Sequence, residues 1–312
     1  MLLQAEKKLW GDLQPSDLEL AILRTVAYFA YSRYPVTAFE IWKWLLEPER
    51  EYSFGQVFGA LQSSSYLQAK IFTEQGFYSL EKDPELLKNR RTRLANALHK
   101  YAKLKRLAVI LGRVPYIEGV AICNSLAFHH TVSESDIDLF VIARKGRVWS
   151  ARFFSTLPLI LLRERPGERA EDPVCLSFFA TRDSLGFERL KIGERDPYLA
   201  FWSKSLIPLS DKTGWLKRFE AENGWIKKVL PNAYAVKRSL AFRLKSRWAI
   251  PFTPMGEVLA ERVQEERFPR AIRLLRNRDT RVIITKDMLK FHAEDRRAEI
   301  RDALDACMKT AV

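Results

Sequence analysis

The sequence predicts an α/β chain of the α+β kind, with a three-helix N-terminal module, a small mixed-sheet core and a mostly helical C-terminal region. Three observations carry this. Helix-capping patterns recur through residues 1–81, ahead of a hairpin-like stretch. Two strand-like runs, Tyr116 to Cys123 and Ser135 to Ile142, lie within residues 107–210, behind a basic linker at 82–106. From Tyr198 onward the chain is rich in tryptophan and arginine and reads as helical, which defines 211–312 as the last region. A length of 312 residues suits two or three such domains.

Ser16-Asp17-Leu18-Glu19 is a capping box, and the helix behind it ends near Tyr34-Pro35. Thr37-Ala38-Phe39-Glu40 opens a second helix, halted by Pro48. Ser53 caps a third, with Val57, Phe58 and Leu61 expected to face inward. Two β-like runs, Tyr66 to Thr73 and Phe77 to Leu80, flank the turn residues Gln75-Gly76. Three short helices and a hairpin make a winged helix-turn-helix. Its third helix, SFGQVFGALQSSSYL, holds no lysine or arginine, which makes it a poor reader of DNA. Packing, or contact with a protein partner, ranks above DNA reading for it.

The formal net charge of +14 attracts polyanions. From Lys88 to Arg106 the chain carries eight lysines and arginines and no acid. Two readings stand: a solvated helix face, or a phosphate-facing surface for RNA or another nucleic acid. No apolar run approaches the roughly 20 residues of a membrane span. Leu157 to Leu162 comes nearest and contains Pro158. Met1-Leu2-Leu3 leads straight into polar residues, unlike a signal peptide. Cys123, Cys175 and Cys307 show no CxxC spacing and read as buried, reduced thiols of a cytoplasmic protein with no membrane partner.

The chemistry concentrates in the middle. After Tyr116 to Cys123 come Asn124-Ser125, and ten residues separate Ser125 from Asp136. Ser135-Asp136-Ile137-Asp138-Leu139-Phe140 then alternates strictly, so Asp136 and Asp138 share one strand face while Ile137 and Leu139 anchor the other. Two unpaired carboxylates on a buried strand are costly, and a shared divalent cation resolves that cost. An apolar strand, a small turn and Asp-apolar-Asp on the next strand resemble the DNA polymerase beta superfamily of nucleotidyltransferases. That resemblance implies Mg2+ (or Mn2+) on Asp136 and Asp138, a nucleoside triphosphate as substrate, and phosphates held around Asn124, Ser125 and Ser135.

Two departures from the family pattern stand out. Asn124 replaces glycine, and asparagine is the residue that best tolerates positive φ after glycine. No clear third carboxylate follows: the strand Val174 to Phe179 offers Ser177 as its inward polar residue, with Glu171 and Asp172 before it and Glu118 on the preceding strand. The whole chain is also similar to a bacterial group of nucleotidyltransferase-domain proteins with an N-terminal winged helix. The shared stretches are Tyr34-Pro35-Val36-Thr37, the Ser135-Asp136-Ile137-Asp138-Leu139-Phe140 core, the Val174 to Phe179 strand, Asn223-Gly224-Trp225 with Leu230-Pro231-Asn232, and Leu289-Lys290-Phe291-His292 with Asp295-Arg296-Arg297.

Near the C-terminus Lys290, His292, Asp295, Arg296 and Arg297 crowd cations around one acid. They read either as a clamp for a triphosphate or as an exposed, salt-bridged helix. Trp202, Trp215, Trp225 and Trp248 read as core or interface residues. The expected function is transfer of a nucleoside monophosphate to a hydroxyl of RNA, protein or a small molecule. The alternative is a catalytically degenerate protein that senses nucleotide or binds nucleic acid.

Overall fold

A computed structural model describes residues 14–167, 171–236 and 256–310. The described chain divides into two compact units. The first comprises residues 14–87, 227–236 and 299–310; the second comprises 88–167, 171–226 and 256–298.

In the first unit, α1 (Asp17–Ala30) starts at the Ser16/Glu19 capping box and buries Ile22, Leu23, Val26 and Phe29. The strand β1 (Val36–Thr37) leads into α2 (Ala38–Lys43), capped by the Thr37/Glu40 box. A third box, Ser53/Gln56, opens α3 (Phe54–Ser63). Each such cap satisfies amides that the first helical turn leaves open, at about 1 kcal/mol apiece. The expected strand from Tyr66 is instead a helix, α4 (Ser65–Lys70), because the Ser64 hydroxyl accepts from the Leu67 amide at 3.1 Å. The short strands β2 (Phe72–Glu74) and β3 (Phe77–Ser79) follow, giving an antiparallel sheet of order β1-β3-β2. Gln75 and Gly76 both take positive φ at the turn. Phe58 departs from expectation: it is 44% exposed and stacks on Phe54 at 5.9 Å, leaving Val57 and Leu61 to face the core.

Distant sequence completes this unit. The buried Asn232 amide donates to the carbonyls of Trp42 and Tyr52 and accepts from the Tyr52 amide. A C-terminal helix, Arg297–Lys309, contributes residues 299 onward.

The second unit is built on a six-stranded mixed sheet. Its elements are α5 (Glu85–Leu111) from residue 88 onward, β4 (Ile117–Ile122), α6 (Asn124–Ala127), β5 (Ile137–Ala143), α7 (Val148–Leu161), β6 (Val174–Thr181), α8 (Pro197–Ser205), β7 (Ile207–Asp211) and α9 (Trp215–Glu222). After these come α10 (Glu257–Glu265), α11 (Arg270–Leu275), β8 (Val282–Ile284) and β9 (Met288–Phe291). The order is β7-β4-β5-β6-β9-β8, with only β5 and β6 parallel, as their α7 crossover requires. The expectation of a separate helical region over 211–312 is thereby corrected. Its hairpin β8–β9 supplies two of the six strands, turning where the Thr285 amide donates to the Met288 carbonyl.

Alternation along the strands divides two cores. Ile137, Leu139 and Val141 pack with Leu104, Leu107, Trp149 and Phe154 on one face. Phe140 and Ile142 pack with Phe178, Phe187, Trp202, Trp215 and Phe219 on the other. Gly119 is required there, because a Cβ would lie 2.1 Å from the Trp215 indole nitrogen. Trp202 and Trp215 are thus core residues and Trp225 is partly buried, while Trp248 lies outside the described residues. All three cysteines are free; Cys123 is buried, and Cys175 and Cys307 are only partly so. Among the described residues no helix is long and apolar enough to cross a membrane.

Candidate functional site

Asp136 and Asp138 stand at the N-terminal end of β5, both half-buried. Asp138 occupies the middle of a row across three strands. The Cys123 amide donates to its carbonyl at 3.1 Å, and Cys175 is its partner on β6. Residues opposite one another in a sheet share a face, so Asp138 lies on the Phe140 side.

Asn124, at the head of α6, has φ 57°, the left-handed conformation that asparagine tolerates best after glycine. Its side chain does more than tolerate the turn. The Trp202 indole donates to Oδ1 at 2.7 Å, which turns the amide nitrogen toward the Asp138 carboxylate, to which it donates. Ser125 is half-buried, and its carbonyl accepts from the His130 amide at 2.9 Å. The Ser135 hydroxyl meets that of Thr131 and donates to the Val132 carbonyl, shaping the loop before β5.

Burial pushes the Asp138 carboxyl up to about 6, with the Asp136 charge adding and the Asn124 and Cys175 hydrogen bonds opposing. Burial also raises Asp136, against the attraction of Lys100. Desolvation together with a like charge is the pattern that a divalent cation relieves.

Lys100 is fully buried on α5. Its ammonium donates to the carbonyls of Ser133 at 3.1 Å and Ser135 at 2.6 Å, and pairs with Asp172 at 2.5 Å. One lysine thus ties the approach to β5 to the approach to β6. Lys103 does similar work on Glu164 and the Asp172 carbonyl. These two members of the basic run are therefore structural, whereas Lys88, Arg91, Lys105 and Arg106 stay exposed.

The C-terminal cluster is divided. Lys290 pairs with Phe178 on β9, so Lys290 and His292 rise from the Asp138 face. The Ser177 hydroxyl and His292 Nε2 lie 3.1 Å apart. Burial, then the charges of Lys290 and Arg297, push His292 down to about 3, so its imidazole is neutral. Burial lowers Lys290 to about 8, and its ammonium donates to the carbonyls of Thr280 and Arg281. Arg297 is more fully committed. Its five N–H groups reach both oxygens of Asp295, Asp196 at 3.3 Å, the Leu190 carbonyl at 2.7 Å and Thr280 Oγ1 at 2.5 Å. Neither Arg297 nor Lys290 is an open phosphate ligand, and only Arg296 remains exposed.

None of the three candidates for a third carboxylate is seen beside the pair, and Glu171 is exposed ahead of β6. Asp172 is held by Lys100, and Glu118 sits toward the far end of β5 beside Arg144 and Arg182. Cys175 and Ser177 occupy the adjoining strand instead. Among the described residues no group of three or more histidines, cysteines and acids is arranged to hold a metal ion.

Sequence reasoning missed Lys100, although a signal was present. Ala97, Lys100, Leu104, Leu107 and Leu111 form one helical stripe, and a lysine on an otherwise buried stripe is unusual. The Asn124–Trp202 bond spans 78 residues and left no such trace. Comparison with family models, curated proteins and solved structures returned no match.

Proposed function

We propose that this chain is a metal-dependent nucleotidyltransferase with a polymerase-beta-like core and an N-terminal winged helix-turn-helix. The observation that carries the reading is the pair Asp136 and Asp138, adjacent on one strand face and both raised by burial. This donor set fits magnesium or manganese: hard carboxylate oxygens, incomplete alone, which triphosphate oxygens would complete. A bound cation supplies neutralisation of phosphate charge. Asn124 holds Asp138 in orientation through Trp202, and Lys100 fixes the loop that carries Asp136.

In the reaction, an acceptor hydroxyl oxygen bonds to the α-phosphorus while the bond to pyrophosphate breaks and the hydroxyl proton passes to solvent water. The acceptor is an RNA end, a protein side chain or a small molecule, and the exposed cations of α5 favour RNA. Three free cysteines suit a reducing cytoplasm. The test is release of pyrophosphate from each nucleoside triphosphate with magnesium, comparing wild type with Asp136→Asn/Asp138→Asn.

A second reading, a nucleotide sensor without turnover, is favoured by Cys175 and Ser177 standing where a third acid belongs. It predicts metal-dependent triphosphate binding with no pyrophosphate release.

A further inference from the structure

Residues 72–87 form an acidic stretch in a chain of net charge +14: Glu74, Glu81, Asp83 and Glu85 stand against one lysine, Lys82. In the first unit this stretch folds around an open groove of about 300 Å3. The cross-strand pairs Phe72/Ser79 and Glu74/Phe77 share one sheet face and make the floor, while Tyr78 is buried toward the opposite face. Pro35, Leu86 and Leu87 add apolar wall. Arg33 holds residues 81–83 in place by pairing with Glu81 and Asp83. At the mouth Phe72 is 46% exposed, and Glu74 is exposed beside it, with no cation among the described residues paired to it.

The same residues form the edge of a sheet. Gln75 and Gly76 both take positive φ, a two-residue turn whose flanking pair, Glu74 and Phe77, exchanges hydrogen bonds. One residue back, Thr73 therefore points its N–H and C=O away from β3, where no strand meets them among the described residues. Exposed edges are commonly blunted by lysine or proline, and Phe72-Thr73-Glu74 has neither. Three residues offer few backbone bonds, so an added strand must draw most of its affinity from side chains. The floor sets their pattern. An apolar side chain opposite Phe72 enters the groove, and a cation two residues along faces Glu74. A second copy's β2 would bring its own Glu74 against this one, and nucleic acid meets the same acids, so charge disfavours both.

We propose that the first unit binds a basic, extended segment of a protein partner, which pairs with β2 at Thr73 as an added strand. Its apolar side chain fills the groove beside Phe72, and its lysine or arginine meets Glu74.

The experiment uses calorimetry and backbone NMR on the full chain. The probe is a blocked peptide repeating valine-threonine-lysine-threonine, which puts valine and lysine on one strand face. The controls are the same peptide with glutamate for lysine, the same peptide N-methylated at alternate amides, and spermine. The lysine peptide should bind and slow hydrogen exchange at the Thr73 amide, and the three controls should not. Phe72→Ser, Glu74→Lys and Thr73→Pro should each weaken it at least about tenfold, as expected for a lost charge-assisted or edge contact. All three positions lie at the surface, and proline is tolerated where an edge N–H points outward. Unchanged melting temperatures check that each variant folds. The glutamate peptide should bind Glu74→Lys better than it binds wild type. Absence of binding by the lysine peptide would overturn the proposal, as would equal binding of the lysine and glutamate peptides. Spermine matching the peptide would reduce the groove to a cation-gathering surface. Unaltered binding by Thr73→Pro would exclude strand addition. Dimerisation of the chain that Thr73→Pro abolishes would give the edge to a second copy instead of a partner.

Discussion

At Asp138 a carboxylate sits between a second carboxylate, one amide and one thiol, whereas at Arg297 every guanidinium N–H already meets an acceptor. Both groups belong to the same unit, and both looked like ligand-binding residues by type. The difference is what each has left over. Asp138 carries a charge that the protein leaves short of partners, so an ion can still lower its energy. Arg297 has two acids and two neutral acceptors around it, so a phosphate would have to displace them. Residual valence, more than residue type, separates a site from a brace.

The widest separation between the two regions is in activity. Asp136→Asn with Asp138→Asn should reduce magnesium-dependent pyrophosphate release by about 10⁴-fold or more, over 5 kcal/mol of transition-state stabilisation, while leaving cooperative melting intact. Unchanged triphosphate binding and turnover would remove these residues from the mechanism.

Arg297→Met should do the reverse. It strands Asp295 and the buried Asp196, a loss of about 3–5 kcal/mol by the usual cost of breaking a buried pair. Urea unfolding measures that loss. A variant that kept wild-type stability but bound triphosphate weakly would return Arg297 to the ligand set and break the contrast.

Asp138 also gives a pH signature. Its folded-state pKa is about 6, above the ordinary carboxylate value of 3.8, so the native state holds the proton more tightly than the unfolded chain. Its contribution to stability is therefore full below about pH 4 and is lost as pH rises through about 6, a change of about 3 kcal/mol. The difference in unfolding free energy between wild type and Asp138→Asn should shift by that amount, in that direction, from pH 4 to pH 7. Metal affinity should move oppositely, because the cation needs the ionised form.

Legibility followed the range of the interaction. The capping boxes at Ser16, Thr37 and Ser53 are three-residue events, and the sequence displayed them. Asp136 and Asp138 were legible because period-two alternation is local, and Asn124 because positive φ is a property of one residue. Short strands were harder: three residues of β8 and four of β9 carry no period, so the hairpin read as part of a helical region. Ser64 as a cap for α4 competed with a β-like run and prevailed. The saturation of Arg297 depends on Leu190 and Asp196, about a hundred residues away, and no local pattern announces it.

The smallest effect sharpens the contrast most. Ser177 lies on β6 near the Asp138 row, with His292 Nε2 at 3.1 Å from its hydroxyl. Ser177→Asp adds an acid where the adjoining strand lacks one. If the new carboxylate joins Asp136 and Asp138, the excess of unpaired negative charge grows. The metal-free protein should then lose about 1 kcal/mol, and manganese should bind about tenfold more tightly, the equivalent of 1.4 kcal/mol. The competing outcome runs through His292. Its imidazole is neutral because burial and the neighbouring cations Lys290 and Arg297 disfavour the proton, and a carboxylate in contact would favour it again. Should the new acid pair with a protonated His292, stability would hold or rise and manganese affinity would stay at the wild-type value. Calorimetric manganese titration, with the histidine ring followed by NMR across the same pH range, separates the two. A protonated His292 with unaltered metal binding would show that this strand braces the sheet, as Arg297 does, and that the metal-binding set ends at Asp136 and Asp138.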